Sequence, residues 1–175
     1  MKYLAAYPAN LRESVQRLIA AGRLGEWLHE RYPTLHEIRT DRALYDYVAA
    51  LRSEFLRNAE PLSKVVFDSK LHVIRNALGT HTTVARVQGG KLKAKREIRI
   101  AALFREVPIK WLRMIAVHEL AHLKERAHDK AFYQLCLHME PDYHQLEFDL
   151  RVYLTHLEQG GAPPWSAPSA PLQQQ

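Results

Sequence analysis

The stretch of residues 108–122 reads Pro108-Ile109-Lys110-Trp111-Leu112-Arg113-Met114-Ile115-Ala116-Val117-His118-Glu119-Leu120-Ala121-His122. Its apolar residues occupy nearly every face of a helix, which predicts a buried helix from Ile109 to about Glu125 that begins after Pro108. Buried polar side chains need partners. The polar residues near its end, His118, Glu119 and His122, are therefore the candidates for chemistry.

The spacing of these three residues points to a metal. Positions four apart lie one above the other on a helix, so His118 and His122 can present two imidazoles to one ion. Glu119 lies beside them and can take a proton from a water molecule that the metal activates. The pattern predicts a metal-dependent hydrolase with Glu119 as general base. The cofactor is one zinc ion per chain, although imidazoles also suit other divalent transition metals. The alternative is a pair of core histidines held by hydrogen bonds.

A catalytic zinc site needs a third protein ligand, and the sequence favours His128. A continuous helix would turn His128 roughly 240° away from His122. If His128 is the third ligand, the helix must therefore break between Leu123 and Ala127, and His128-Asp129 then begins the next helix. The alternative third ligands are Glu147, His138 and His144.

The rest of the chain divides into three regions. The pattern of residues 1–60 predicts an N-terminal helical part. Its first helix would be capped by Asn10 and Glu13 and would be interrupted at Gly22 and Gly25. Its second helix would begin at Asp41. Residues 61–158 are expected to form the metallohydrolase core. Its expected elements are strands at Lys64–Phe67, Leu71–Arg75, Thr82–Gln88 and Arg96–Leu103, and helices at about Asp129–Met139 and Gln145–Leu157 besides the one described above. The Pro- and Gln-rich tail, residues 159–175, is expected to be disordered.

The net charge of +6 is concentrated in the middle of the chain. Residues 61–113 carry 12 basic and 3 acidic side chains, a balance of +9, whereas residues 1–60 carry +1 and residues 114–175 carry −4. A strand over residues 91–99 would turn most of its cations to one face, which would attract phosphate. The predicted substrate-binding residues are Arg86, Lys91, Lys93, Lys95, Arg96 and Arg99. The alternative is a solvated sheet face that is charged to discourage aggregation.

Composition also limits the cellular compartment of the protein and the kinds of disulfide or metal site that it can contain. The single cysteine, Cys136, excludes a disulfide framework and a cysteine-based zinc ribbon. No apolar run has the length of a membrane span, and the first residues lack the features of a secretory signal or transit peptide. We therefore expect a cytoplasmic protein without a membrane partner.

Further stretches accompany the histidines and carry a family likeness. They are His118–Glu125, His128–Tyr133, His138–Pro141, Tyr143–Asp149, Phe55–Ala59, Asn76–Gly79 and Arg86–Lys95. Together they resemble the YgjP-like metallopeptidase-domain proteins of bacteria over most of the chain. The wider WLM and SprT-like groups share only the zinc helix and a third histidine followed by a small residue, usually glycine, and an aromatic residue. Asp129 departs from that glycine.

The resemblance implies an α+β fold of the minimal zincin (minigluzincin-like) type, with a small antiparallel or mixed sheet, an HExxH zinc helix and N-terminal helices. It implies that His118, His122 and His128 bind zinc and that Glu119 is the catalytic base. It also implies that the strand before the zinc helix borders the cleft, where such peptidases align an extended substrate by β-addition. Members of the group are also described as pyrophosphatases that act on UTP, so the implied substrate is a peptide or a nucleotide.

Three functions follow as hypotheses. The first is a zinc hydrolase of the metallopeptidase type. The second is a nucleoside triphosphate pyrophosphohydrolase that releases UMP and pyrophosphate from UTP, with basic residues 91–99 holding the phosphates. The lack of a Walker-type phosphate loop counts against it. The third is a non-catalytic nucleic-acid-binding module with structural zinc, which is disfavoured because Glu119 would have no task there.

Overall fold

The computed structural model describes residues 1–71 and 96–166, and the chain forms two compact units. Unit 1 comprises Met1–Leu35 and the chain from Glu147 onward, and unit 2 comprises His36–Leu146. The described helices are α1 (Ala9–Ala20), α2 (Leu24–Arg31), α3 (Asp41–Phe55), α4 (Ile109–Ala121), α5 (Lys130–Met139) and α6 (Tyr143–Glu158), and the strands are β1 (Lys64–Asp68) and β2 (Glu97–Ala101). The predicted α+β class is confirmed. None of the described helices is long and apolar enough to cross a membrane.

The N-terminal helices differ from expectation at both ends of α1. Pro8 is the N-cap residue of α1, so Asn10 lies inside the helix and the predicted capping pair of Asn10 and Glu13 is wrong. Gly22 follows the end of α1 with φ of 66°, a conformation that glycine adopts without strain. The sequence does not predict α2, because Gly25 suggests a break, yet Gly25 lies inside this helix.

Unit 1 contains a buried carboxylate and an anchored part of the tail. Asp149 is fully buried and accepts hydrogen bonds from the Arg31 guanidinium, at 3.0 Å from Nη2, and from the Tyr32 hydroxyl. A buried charge needs such partners. Trp165 donates from its indole nitrogen to the Tyr32 carbonyl at 2.6 Å. Residues 167–175 lie outside the described part of the chain.

The two described strands pair in parallel, with Val65 opposite Ile98 and Phe67 opposite Ile100. All four side chains are buried. The prediction of antiparallel pairing is therefore wrong for these two strands. Parallel neighbours need a crossover connection of a dozen or more residues, which the chain between β1 and β2 provides. Apart from Leu71, the predicted strands at Leu71–Arg75 and Thr82–Gln88 fall within this connection and outside the described residues.

Helix α4 is the central element of unit 2 and packs against α3, α5 and β2. Its N-cap residue is Pro108, as predicted, and it ends at Ala121, about four residues before the expected end near Glu125. The prediction of a buried helix is confirmed, since its buried residues are Trp111, Leu112, Met114, Ile115, Ala116, Val117, His118, Leu120 and Ala121. The predicted start of α3 at Asp41 is also confirmed. The Asp41 carboxylate accepts a hydrogen bond from the Phe67 amide at 2.9 Å and ties α3 to β1.

Candidate metal centre

Three imidazoles of unit 2 turn their Nε2 atoms toward one point. The Nε2 atoms of His118 and His122 are 3.2 Å apart, those of His122 and His128 are 3.0 Å apart, and those of His118 and His128 are 3.3 Å apart. His118 is buried, whereas His122 and His128 are partly exposed. The structure therefore brings together the three predicted zinc ligands, two of which are partly exposed.

These separations fit a metal ion better than a hydrogen-bonded cluster. Two nitrogens bound to one zinc ion at 2.0–2.1 Å with tetrahedral geometry lie about 3.3 Å apart. A protonated imidazole nitrogen has no lone pair with which to accept, so hydrogen bonds can join at most two of the three Nε2 pairs. A cation accounts for all three distances. The cluster can thus hold a metal ion, and three protein ligands are typical of a site that leaves a coordination position open.

The turn after α4 brings His128 to this cluster. Helix α4 ends just before His122, and Arg96 donates from Nη1 to the carbonyl of Leu123 at 3.1 Å. Asp129 is the N-cap residue of α5, where its carboxylate accepts from the Phe132 amide at 3.0 Å. Such a cap begins a new helix directly after the third histidine. The predicted break is confirmed, and the aspartate that replaces the usual glycine has a structural task as a cap.

Two further contacts orient the histidines. The Nδ1 atom of His122 lies 2.7 Å from the carbonyl oxygen of Glu125, and that of His118 lies 2.7 Å from the hydroxyl of Tyr143. The Phe132 ring packs against all three imidazoles, with centroid distances of 4.3–5.0 Å. Sequence reasoning assigned no role to Phe132 or Tyr143. Their only sequence signal is that both lie in stretches that resemble the family.

Glu119 follows His118 on α4 and is partly buried. Burial raises the pKa of its carboxyl group from an ordinary value of 4.5 to about 8. A carboxyl group that titrates near neutral pH is suited to accept and release a proton. A cation held by the neighbouring histidines would favour the carboxylate and so lower this pKa.

We expect the metal-free protein to lose stability as the pH rises from about 4.5 to about 8. Below this range the Glu119 carboxyl is protonated in both the folded and the unfolded chain; within it only the unfolded chain ionises freely, which favours unfolding. At about 1.4 kcal/mol per pKa unit the upper limit is about 5 kcal/mol, and partial exposure of the side chain reduces it. Denaturant unfolding of chelator-treated wild type and Glu119→Gln at about pH 5 and about pH 8.5 measures the effect. The variant should gain stability relative to wild type at the higher pH, and an equal difference at both pH values would contradict the expectation.

The alternative third ligands make other contacts. Among the described residues, His118, His122 and His128 form the one group of three or more His, Cys, Asp or Glu with ligand atoms within 4.8 Å of one another. The Glu147 carboxylate instead accepts from the Arg151 guanidinium at 2.9 Å.

The rings of the two other candidates pack on aromatic neighbours. His138 lies edge-on to Phe55, with ring centroids 5.6 Å apart, and His144 lies against Tyr133 at 5.3 Å. The geometry therefore favours His128 as the third ligand.

Two of the predicted substrate-binding residues are described, and both contact carboxylates. Arg96 donates from Nε to Glu60 at 3.0 Å, and Arg99 donates from Nη1 to Asp68 at 3.0 Å. To bind a phosphate, either guanidinium would have to give up its contact with a carboxylate of the same chain. The other predicted residues, Arg86, Lys91, Lys93 and Lys95, lie outside the described part of the chain.

Comparison with known proteins agrees with the resemblance found in the sequence. The model of the YgjP-like metallopeptidase domain matches residues 60–153, which include α4 and all three histidines. The UTP pyrophosphatase of Escherichia coli strain K12 is 59% identical over 160 residues, which cover 91% of this chain and 96% of that protein. No solved structure gives a significant match. These findings support a hydrolase enzyme, and the chain belongs to the YgjP-like metallopeptidase-domain family.

Proposed function

We propose that this chain is a metal-dependent nucleoside triphosphate pyrophosphohydrolase that converts UTP to UMP and pyrophosphate. His118, His122 and His128 would hold one zinc ion, and Glu119 would act as general base. The observation that carries the proposal is the 59% identity to a UTP pyrophosphatase across nearly the full length of both chains. The three converging imidazoles supply the metal site that a family of metal-dependent hydrolases requires.

The residues of the site have distinct roles in this reaction. A zinc ion held by the three imidazoles would polarise a phosphoryl oxygen and lower the pKa of water. A cation at that position would favour the ionised form of Glu119, which would accept the proton of the attacking water and pass it to the departing pyrophosphate. The Glu125 carbonyl fixes the orientation of the His122 ring through Nδ1.

Charge in the sequence supports a triphosphate as substrate. Residues 72–95 contain five Lys or Arg and no Asp or Glu, namely Arg75, Arg86, Lys91, Lys93 and Lys95. Cations that hydrogen-bond phosphate oxygens bind and orient such a substrate. Arg96 and Arg99 are weaker candidates, since each already contacts a carboxylate.

Peptide hydrolysis is the second candidate function. The metallopeptidase description of the family favours it, and β2 packs against α4, where an extended peptide would add to a strand. The third hypothesis, a nucleic-acid-binding module with structural zinc, has less support. A structural zinc site ordinarily has four protein ligands, and the described residues offer three.

A paired assay on zinc-loaded protein tests the proposal. UMP and pyrophosphate should form from UTP in equal amounts, while an unstructured casein-like substrate should stay intact. Treatment with a chelator should abolish the reaction and added zinc should restore it, because the reaction depends on the metal. Cleavage of the protein substrate alone would establish the peptidase function instead. Inactivity on both substrates would contradict the proposal.

A further inference from the structure

Tyr143 is a buried tyrosine whose hydroxyl group contacts a residue of the metal centre. Its side chain is 1% exposed, and its hydroxyl oxygen lies 2.7 Å from Nδ1 of His118. The two rings are nearly parallel, with an interplanar angle of 16° and centroids 6.3 Å apart. The hydroxyl therefore lies within hydrogen-bonding distance of a proton on Nδ1.

Metal binding through Nε2 fixes where the ring proton must lie. A neutral histidine that binds through Nε2 carries its proton on Nδ1, which then donates to a neighbouring acceptor. For His122 this acceptor is the Glu125 carbonyl, which can only accept, so the required tautomer is enforced. For His118 the neighbour is a hydroxyl group, which can accept from Nδ1 when the ring binds a metal.

The position of Tyr143 is itself set by α4. Arg113, which precedes His118 by five residues on α4, donates to the Glu140 carboxylate and to the Met139 carbonyl, both at 2.8 Å. The Tyr143 amide in turn donates to the Glu140 carbonyl at 3.0 Å. The helix that carries His118 thus also anchors the turn from which Tyr143 reaches back to it.

We infer that Tyr143 is a positioning residue for the metal centre: its hydroxyl oxygen accepts the Nδ1 proton of His118, which keeps Nε2 unprotonated and aimed at the Nε2 atoms of His122 and His128. The inference rests on the proposed function only in that the three histidines hold a metal ion. Loss of such an outer partner typically lowers metal affinity 10- to 100-fold.

Tyr143→Phe tests this role, because it removes the hydroxyl and keeps the ring. Tyr45→Phe is the matched control: it removes a hydroxyl that donates to the Leu62 carbonyl at 3.1 Å in the same unit. The first readout is zinc affinity by competition with a chelator, where Tyr143→Phe should bind roughly 10- to 100-fold more weakly and the control should match wild type. The second is the tautomer of His118 from two-bond ¹H–¹⁵N spectra of its imidazole. The metal-free variant should lose population of the Nδ1-protonated form.

The outcomes separate a positioning role from a structural one. Wild-type zinc affinity in Tyr143→Phe would overturn the inference, as would weaker binding with an unchanged His118 tautomer. If the variant does not fold, the zinc-loaded wild type decides the question. A slowly exchanging Nδ1 proton on His118 with a nuclear Overhauser effect to the Tyr143 ring supports the inference, and its absence overturns it. A failure of UTP hydrolysis would leave these readouts unaffected, so the two failures are distinguishable.

Discussion

Replacing Glu119 by glutamine should lower the turnover of UTP by about 10²- to 10⁴-fold and leave the zinc content unchanged. Glutamine has nearly the shape of glutamate but cannot accept the proton of the attacking water. The zinc ion should stay bound, because the group of candidate ligands consists of three imidazoles and does not include Glu119. Steady-state release of pyrophosphate and zinc analysis of the same preparation measure the two quantities.

The matched control is Glu106→Gln, the same change at a side chain that is 74% exposed and pairs with Arg39. We expect it to match wild type in both turnover and zinc content. Full turnover by Glu119→Gln would show that another group accepts the proton. Loss of zinc from Glu119→Gln would show that the carboxylate helps to hold the metal.

Helix α4, which carries His118 and ends at the residue before His122, could be predicted because its signal is local. Apolar residues on nearly every face indicate burial, and a four-residue spacing places His118 and His122 on one face. His128 is favoured by its offset of six residues from His122, and helix geometry then predicts a chain break, because a continuous helix would point His128 away from the cluster. The structure contains that break, and Asp129 caps the helix beyond it.

Contacts between residues distant in sequence could not be predicted in this way. Tyr143 lies 25 residues beyond His118 at the start of α6, and the tertiary fold of unit 2 brings its hydroxyl to the ring. The shifted pKa of Glu119 depends on burial, which the sequence indicates for the helix but not for one carboxyl group. The parallel pairing of β1 and β2 likewise joins segments that are distant in sequence, and the strand patterns alone do not give its direction.

Charge patterns were informative only in part. The excess of Lys and Arg in residues 61–113 is evident from the sequence, but the partner of each cation is not. Arg96 illustrates this, since it contacts the Glu60 carboxylate and the carbonyl of Leu123 in the turn after α4. A residue predicted to bind substrate thus contacts the turn between α4 and His128 instead.

Replacing His128 by alanine should weaken zinc binding by more than 100-fold. Loss of an outer partner costs 10- to 100-fold, and removal of one of three direct ligands should cost more. The matched control is His138→Ala, the same change on α5 at an exposed ring that contacts Phe55. This control should bind zinc as wild type does.

The measurement that tests the three-histidine centre most directly is a competition titration of zinc between a chromogenic chelator and the wild type, His128→Ala and His138→Ala proteins. We predict one tightly bound zinc ion per wild-type chain, the same in His138→Ala, and affinity lower by more than 100-fold in His128→Ala alone. Wild-type affinity in His128→Ala would contradict the assignment. Loss of zinc from Glu147→Gln in the same titration would then make Glu147 the third ligand.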